Sequence, residues 1–183
     1  MSLFRNAIPA FCLFVAATAA FADITETAPG RFICEAGHGA FVQEEISRFV
    51  PGATIIGHVR MLRDSEHSRF PGSGALIFKT TDDRSVGAYV TVDHTNPERV
   101  LVWIKGRNQR QMVATVAPRD ASIPLSVTFG DDGFLTVRAG AFAHRLRMRR
   151  SGPVEPRIHC QSGRFEIHVA SPATSAPESA LSR

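Results

Sequence analysis

Between Asp23 and Val169 the sequence consists mainly of short runs in which apolar and polar residues alternate. The runs recur about every eight to twelve residues and are bounded by glycine, aspartate or proline, which is typical of antiparallel strands joined by turns. The pattern predicts strands at about 31–36, 53–63, 74–81, 85–93, 99–106, 110–117, 124–129, 133–138, 140–149, 157–161 and 163–169. A short turn around 43–49 is the one helical signal. We therefore expect an all-β domain, a two-sheet antiparallel β-sandwich.

The turn residues between these runs support hairpins and set the phase of each strand. Asp82-Asp83-Arg84 joins two apolar alternations, and Gly130-Asp131-Asp132-Gly133 supplies residues that tolerate a positive φ. The phase predicts a core formed by Leu76, Phe78, Val86, Ala88, Val90, Val100, Val102, Ile104, Leu125, Val127, Phe129, Leu135 and Val137.

Several of these segments carry a family resemblance. They are Gly74–Phe78, Tyr89–Val92, Val100–Trp103, the hairpin 125–137 and the closing segment Ile158–Glu166. In strand rhythm and turn residues they resemble concanavalin A-like and laminin G-like jelly rolls over roughly residues 31 to 169. The resemblance implies a jelly roll whose first and last strands lie side by side, in a superfamily that includes glucanases.

The amino terminus has the features of a secretory signal peptide. Arg5 precedes an apolar run, which ends in the small-x-small sequence Ala20-Phe21-Ala22. We therefore predict a signal peptide over residues 1–22, a β-sandwich domain over 23–169 and a disordered tail rich in proline and small residues over 170–183. The expected location is periplasmic or secreted.

Export determines how the cysteines are interpreted. Cys12 would leave with the signal peptide, so that Cys34 and Cys160 remain. In an oxidising compartment two cysteines allow a single intramolecular pairing, and we expect a disulfide that closes the sandwich. The alternative is a pair of buried free thiols. A Cys34–Cys160 bridge would agree with the side-by-side terminal strands that the jelly-roll resemblance implies.

Charge and hydropathy restrict the partners. The chain has a formal net charge of +4, and of its 21 basic residues only Lys79 and Lys105 are lysines. So small an excess on an exported chain argues against nucleic acid as a partner. No stretch after the signal is long and apolar enough to span a membrane, so we expect no transmembrane segment after signal cleavage.

The sequence lacks the motifs of the common catalytic schemes. Glucanases of the resembled superfamily alternate acidic residues along one strand, whereas Glu44 and Glu45 are adjacent and Asp64-Ser65-Glu66 lies in a loop-like segment. There is no Gly-x-Ser-x-Gly turn, no His-Glu-x-x-His helix and no zinc-ligand spacing among the histidines. These absences predict that the domain is not an enzyme and that it has no catalytic residues, no metal site and no cofactor.

The register of one hairpin suggests a binding site. If the loop 94–98 closes symmetrically, Tyr89 pairs with Trp103 and Gly87 pairs with Lys105, on the face opposite the core. Tyr89 is the only tyrosine of the chain, and Trp103 is its only tryptophan. Aromatic faces pack against sugar rings, so we predict glycan or polysaccharide binding by Tyr89, Trp103, Lys105, Asp93 and Asn96. The alternative is an aromatic pair that stabilises the sheet without a ligand.

A second candidate surface is a stripe of arginines. Arg145, Arg147 and Arg149 alternate along one predicted strand and would share one face. They could recognise an envelope protein or an anionic surface. They could equally form a charged strand face that protects a sheet edge from aggregation. The sequence thus predicts a non-catalytic, lectin-like carbohydrate-binding domain, with an envelope interaction module as the alternative.

Overall fold

The computed structural model describes residues 21–50, 53–64, 71–82, 84–93, 95–106, 110–116, 118–148 and 152–170, with the backbone alone described for 110–116. It contains eleven antiparallel strands and a single-turn 3-10 helix at Ser47–Phe49. The strands are β1 (Ala22–Ala28), β2 (Arg31–Glu45), β3 (Thr54–Asp64), β4 (Ser73–Thr80), β5 (Ser85–Val92), β6 (Val100–Lys105), β7 (Arg110–Val116), β8 (Ile123–Phe129), β9 (Phe134–Ala139), β10 (Phe142–Arg147) and β11 (Val154–Val169).

Hydrogen bonds join all eleven strands into one sheet, which folds over on itself along β2 and β11. Layer A consists of the second half of β2, the first half of β11, and β4, β5, β6 and β7 in that order. Layer B consists of β1, the first half of β2, the second half of β11, and β3, β8, β9 and β10. The two layers form the predicted β-sandwich.

A bulge in β11 makes the change of layer possible. The pairing with β2 shifts register between Gln161 and Gly163, and Ser162 adopts a positive φ of 48°. As a result, the side chain of Cys160 points into the core before the bulge, and that of Phe165 points into the core after it. Between the two paired stretches, residues 37–40 of β2 lie opposite Ser162 alone. The phase of β11 reverses beyond Ser162, and this keeps apolar side chains inside while the strand passes from one layer to the other.

The core lies between the layers and matches the predicted phase. All thirteen predicted core residues are buried, from Leu76 on β4 to Val137 on β9. Phe78 of layer A meets Phe129 of layer B edge to face, with ring centroids 6.3 Å apart. The alternation of the sequence thus assigned the inner faces of both layers correctly.

The predicted disulfide is present between Cys34 and Cys160, whose Cα atoms are 6.1 Å apart. Cys34 lies in the layer B half of β2 and Cys160 in the layer A half of β11, and both are fully buried. The bridge therefore crosses the core where the sheet folds over, and it links residues 126 positions apart.

Three features differ from the sequence prediction. β2 continues to Glu45, so the segment expected to turn from residue 43 is strand, and only Ser47–Phe49 is helical. Strands expected at 157–161 and 163–169 are one bent strand, β11. β1 was not predicted, because Glu26 stands where the alternation of Ala22 and Ile24 calls for an apolar residue.

Parts of the predicted domain boundaries lie outside the described residues. These are residues 1–20 of the predicted signal peptide and residues 171–183 of the predicted tail. Within the described part of the chain, no helix has the length and apolar character needed to span a membrane.

Candidate functional site

The outer face of layer A carries a row of side chains that crosses five strands. Gln43 on β2 is the register partner of His159 on β11, and His159 is the partner of Ala75 on β4. The row continues through Tyr89 on β5 to Trp103 on β6. Because register partners in a sheet point to the same side, all five side chains share one face. We call this set the layer A row.

The face that carries the layer A row is concave. Gln43 Nε2 donates a hydrogen bond to Ser85 Oγ over 3.3 Å. β11 and β4 lie between the strands of these two residues, so the outer face must curve inward to bring them together. At the bottom of this hollow Ala75 and Ile77 are fully buried, although they point away from the main core.

His159 is buried at the centre of the hollow. Its ring lies edge-on to that of Tyr89 at 5.6 Å, and Gln43 Nε2 is 3.4 Å from its Nδ1. With the amide oriented so that its nitrogen faces the ring, Nδ1 accepts this contact and the proton of the neutral ring is assigned to Nε2. Burial, and to a smaller extent the charge of Lys105, lowers the pKa of His159 to about 4. The imidazole is therefore uncharged at neutral pH.

The aromatic side chains of the face differ in exposure. Tyr89 is only 9% exposed, and Lys105 Nζ lies 5.6 Å from the centroid of its ring. Trp103 is half-buried, and its Nε1 donates a hydrogen bond to Thr91 Oγ1 over 3.1 Å, which fixes the indole plane. Phe41 at the rim is 64% exposed, and its ring centroid lies 6.0 Å from that of His159. The accessible aromatic surface thus comes from Trp103 and Phe41.

The structure brings Tyr89, Trp103 and Lys105 together, in the predicted register. Asp93 lies four residues beyond Tyr89 along the chain, about 13 Å away at the rise of an extended strand. Its carboxylate accepts hydrogen bonds from the amide and hydroxyl of Thr95, which are the leading causes of its lowered pKa. Asn96 Oδ1 accepts from the amide of Glu98. Both predicted loop residues therefore stabilise their own turn.

The predicted arginine stripe lies on the other layer. Arg145 and Arg147 are exposed on β10, at the edge of layer B, and Arg149 lies outside the described residues. Arg145 forms an ion pair with Asp132 and stacks on the ring of Phe134 at 3.9 Å. This guanidinium is therefore already engaged by its own hairpin.

The sequence reasoning missed Gln43, His159 and Phe41. The second half of β2 carries Phe41 and Gln43, and the first half of β11 carries His159. These halves pair with strands that are far away in the sequence, and β2 was expected to end at residue 36. One signal was available for His159. With Cys160 pointing into the core, strand alternation places its neighbour His159 on the outer face.

Solved structures similar to this chain include an alginate lyase from Pseudomonas aeruginosa, which is 12% identical in sequence. The match covers 81% of this chain and 86% of the lyase, with a TM-score of 0.53. A CBM66 carbohydrate-binding module from Bacillus subtilis is 12% identical, and the match covers 82% of this chain and 91% of the module with a TM-score of 0.48. A β-glucanase from Bacillus licheniformis is 6% identical, with 80% and 73% covered and a TM-score of 0.45. No protein-family model and no curated protein matches the sequence. The chain thus has the concanavalin A-like jelly-roll fold that its strands resemble.

The prediction, drawn from missing motifs, that the domain is not an enzyme is wrong. The proteins similar in structure include an enzyme, the alginate lyase. The missing motifs exclude only the chemistries that require them. A cluster such as His159, Tyr89 and Gln43 is assembled from three strands distant in the sequence, so no local motif reveals it.

Proposed function

We propose that the concave outer face of layer A binds a polysaccharide, with Trp103 and Phe41 as stacking surfaces and Gln43, His159 and Lys105 as hydrogen-bonding groups. The observation that carries the proposal is the layer A row, which aligns polar and aromatic side chains across five strands. Sugar rings present an apolar face and a polar edge, and this combination fits them.

The electrostatics of the face support this assignment. His159 is uncharged, so it offers one hydrogen-bond donor to a sugar hydroxyl without the cost of burying a charge. Lys105 adds a cation at one side of the row, close to the ring of Tyr89. Such a face accepts neutral sugars and favours those that carry a carboxylate near Lys105. We further propose that the protein acts after export, in the periplasm or outside the cell.

The test is retention of the purified protein on neutral and acidic polysaccharides at low and high salt. We expect retention that survives high salt, because stacking is not screened, and we expect Trp103→Ala to abolish it. Phe142→Ala is the matched control, since Phe142 is 55% exposed on β10, in the other layer. Near-ultraviolet and far-ultraviolet circular dichroism establishes that both variants are folded.

The same screen tests the anionic-surface alternative. Retention that is confined to acidic polymers, lost in salt and reduced by Arg145→Gln together with Arg147→Gln would transfer the function to β10. Retention that is equal in Trp103→Ala and Phe142→Ala would remove the concave face as the binding site.

A second candidate function is cleavage of an acidic polysaccharide by elimination. The specific observation is the neutral His159 beside Tyr89, with Lys105 close to both. A base would take the proton next to the sugar carboxylate, and the electron pair would form a carbon–carbon double bond. The glycosidic C–O bond would break, and its oxygen would receive a proton. His159 and Tyr89 are suited to the two proton transfers, and Lys105 to offsetting the carboxylate charge.

Elimination leaves a conjugated carboxylate that absorbs ultraviolet light, which gives a direct assay on alginate and polygalacturonate. Product that appears with the wild-type protein and is lost in both His159→Gln and Tyr89→Phe would establish cleavage. If the protein binds these polymers without any rise in absorbance, the face binds them and does not cleave them.

A further inference from the structure

A groove of about 420 Å³ lies on the outer face of layer B, away from the proposed polysaccharide site. Its lining is formed by three adjacent strands and the segment before β8. The lining residues are Arg31, His58, Arg60, Ser122, Glu166 and His168. All six side chains are polar, and two of them, Arg31 and Arg60, are cations.

Glu166 holds the two arginines of the groove in place. It lies on β11, between Arg31 on β2 and Arg60 on β3, and forms an ion pair with each. Burial acts to raise the pKa of Glu166, but the hydrogen bond from Arg31 and the charge of Arg60 keep it below its usual value. One carboxylate faces two guanidinium groups, so this cluster has a net charge of about one positive unit.

The arginines have donors that Glu166 does not use. A guanidinium carries five N–H groups, and a carboxylate can accept only some of those offered by two of them. Arg60 Nε is buried and has no acceptor among the described residues. A buried donor without an acceptor is unfavourable, and an oxygen atom of an anion bound in the groove would satisfy it.

Two histidines line the same groove. His58 and His168 are register partners, both exposed, with ring centroids 6.3 Å apart. The charged groups that face them are Arg31, Arg60 and Glu166. Each imidazole carries at least one ring N–H, which gives the groove a further hydrogen-bond donor.

We propose that this groove binds a sulfate or phosphate group, held by Arg31 and Arg60 and by the Ser122 hydroxyl, with His58 and His168 beside it. Arginine forks match the geometry of such oxyanions. The groove is larger than a single ion, so it also accommodates a sulfate or phosphate ester on a sugar.

The test is a titration of the full-length protein followed by NMR, with the imidazole signals of His58 and His168 as reporters. The probes are sodium sulfate, sodium phosphate and glucose 6-sulfate at constant ionic strength, balanced with sodium chloride. We expect saturable shifts of both histidines. Tighter binding of glucose 6-sulfate than of sulfate identifies a sugar-borne group as the ligand, and equal binding identifies the free ion.

Arg60→Gln should weaken binding about tenfold, because it removes charge-assisted hydrogen bonds. The matched control is Arg63→Gln on the same strand, whose side chain is exposed and forms an ion pair with Glu35 outside the groove.

Two results would overturn the proposal. One is the absence of any histidine shift with all three probes. The other is equal weakening by Arg60→Gln and Arg63→Gln, which would indicate general charge attraction rather than a site. Either result leaves the polysaccharide proposal for layer A untouched, since no residue is shared between the two faces.

Discussion

The outer faces of the two layers are built from strands of similar length, but they treat polar groups differently. On layer A the face is concave, its floor of Ala75 and Ile77 is fully buried, and His159 is held uncharged. On layer B the corresponding positions carry Arg31, Arg60 and Glu166 in a partly exposed ion-pair cluster.

The comparison shows what curvature does to a sheet surface. The layer B cluster keeps both arginine side chains partly in contact with water, where ion pairs contribute little to stability. A concave face withdraws polar groups from water before any ligand arrives, and this withdrawal costs free energy unless the groups are neutral or hydrogen-bonded. In layer A this unfavourable withdrawal from water occurs at His159, and we propose that the residue is kept there because it binds the ligand.

The largest expected effect comes from removing the disulfide that joins the two layers. Replacing Cys34 and Cys160 together by alanine should lower the free energy of unfolding by about 4–5 kcal/mol on the chain-entropy model for so long a loop. Urea denaturation of the variant and the wild-type protein measures the change. A loss well below 1 kcal/mol would mean that sheet hydrogen bonding alone holds the two layers together.

The second-largest expected effect is a pH dependence of the free energy of unfolding, which arises from His159 in layer A. The histidines of the unfolded chain take up protons near pH 6.5, whereas the pKa of His159 in the folded protein is lowered to about 4. Between these values the unfolded state binds the extra proton. Stability that is fully present above pH 6.5 is therefore lost as the pH falls toward 4, by on the order of 3 kcal/mol.

Urea denaturation across this pH range, on the wild-type protein and on His159→Gln, measures the contribution. The variant should show a weaker decline of stability toward acid pH. Lys105→Gln removes the smaller cause of the shift, so it should restore only part of the ordinary titration. Identical pH profiles for the wild type and His159→Gln would contradict the burial of a neutral imidazole in layer A.

A smaller effect tests how rigidly the concave face holds its indole. Thr91→Val removes the acceptor of the Trp103 Nε1 hydrogen bond. We expect a loss of about 1 kcal/mol in the free energy of unfolding. Polysaccharide binding should weaken as well, because the stacking plane is no longer fixed. Thr91→Ser keeps the hydroxyl and should behave like the wild-type protein.

The smallest effect belongs to layer B. Glu166→Gln removes the counter-charge of Arg31 and Arg60 but leaves both arginines in contact with water. We expect a destabilisation of about 0.5–1 kcal/mol that shrinks as salt is added. A loss as large as that from the disulfide variant would mean that the charged face is as strongly desolvated as the concave one.

The sequence predicted the sandwich because alternation and turn chemistry are local signals. The core phase, the disulfide and the Tyr89–Trp103 register all follow from residues within one strand or one hairpin, or from the number of cysteines. The pairing of β11 with β4 follows from none of these. It depends on the bulge at Ser162, and it is what brings His159 and Gln43 to the aromatic residues.

The most direct test of the central claim uses the fact that Trp103 is the only tryptophan of the chain. Its fluorescence reports on layer A alone. Titration with the polysaccharide that the protein retains should change the emission in a saturable way. Phe41→Ala should weaken the response, and Phe142→Ala should leave it unchanged. Saturable binding without any change in Trp103 emission, or with equal effects of both phenylalanine variants, would contradict the account.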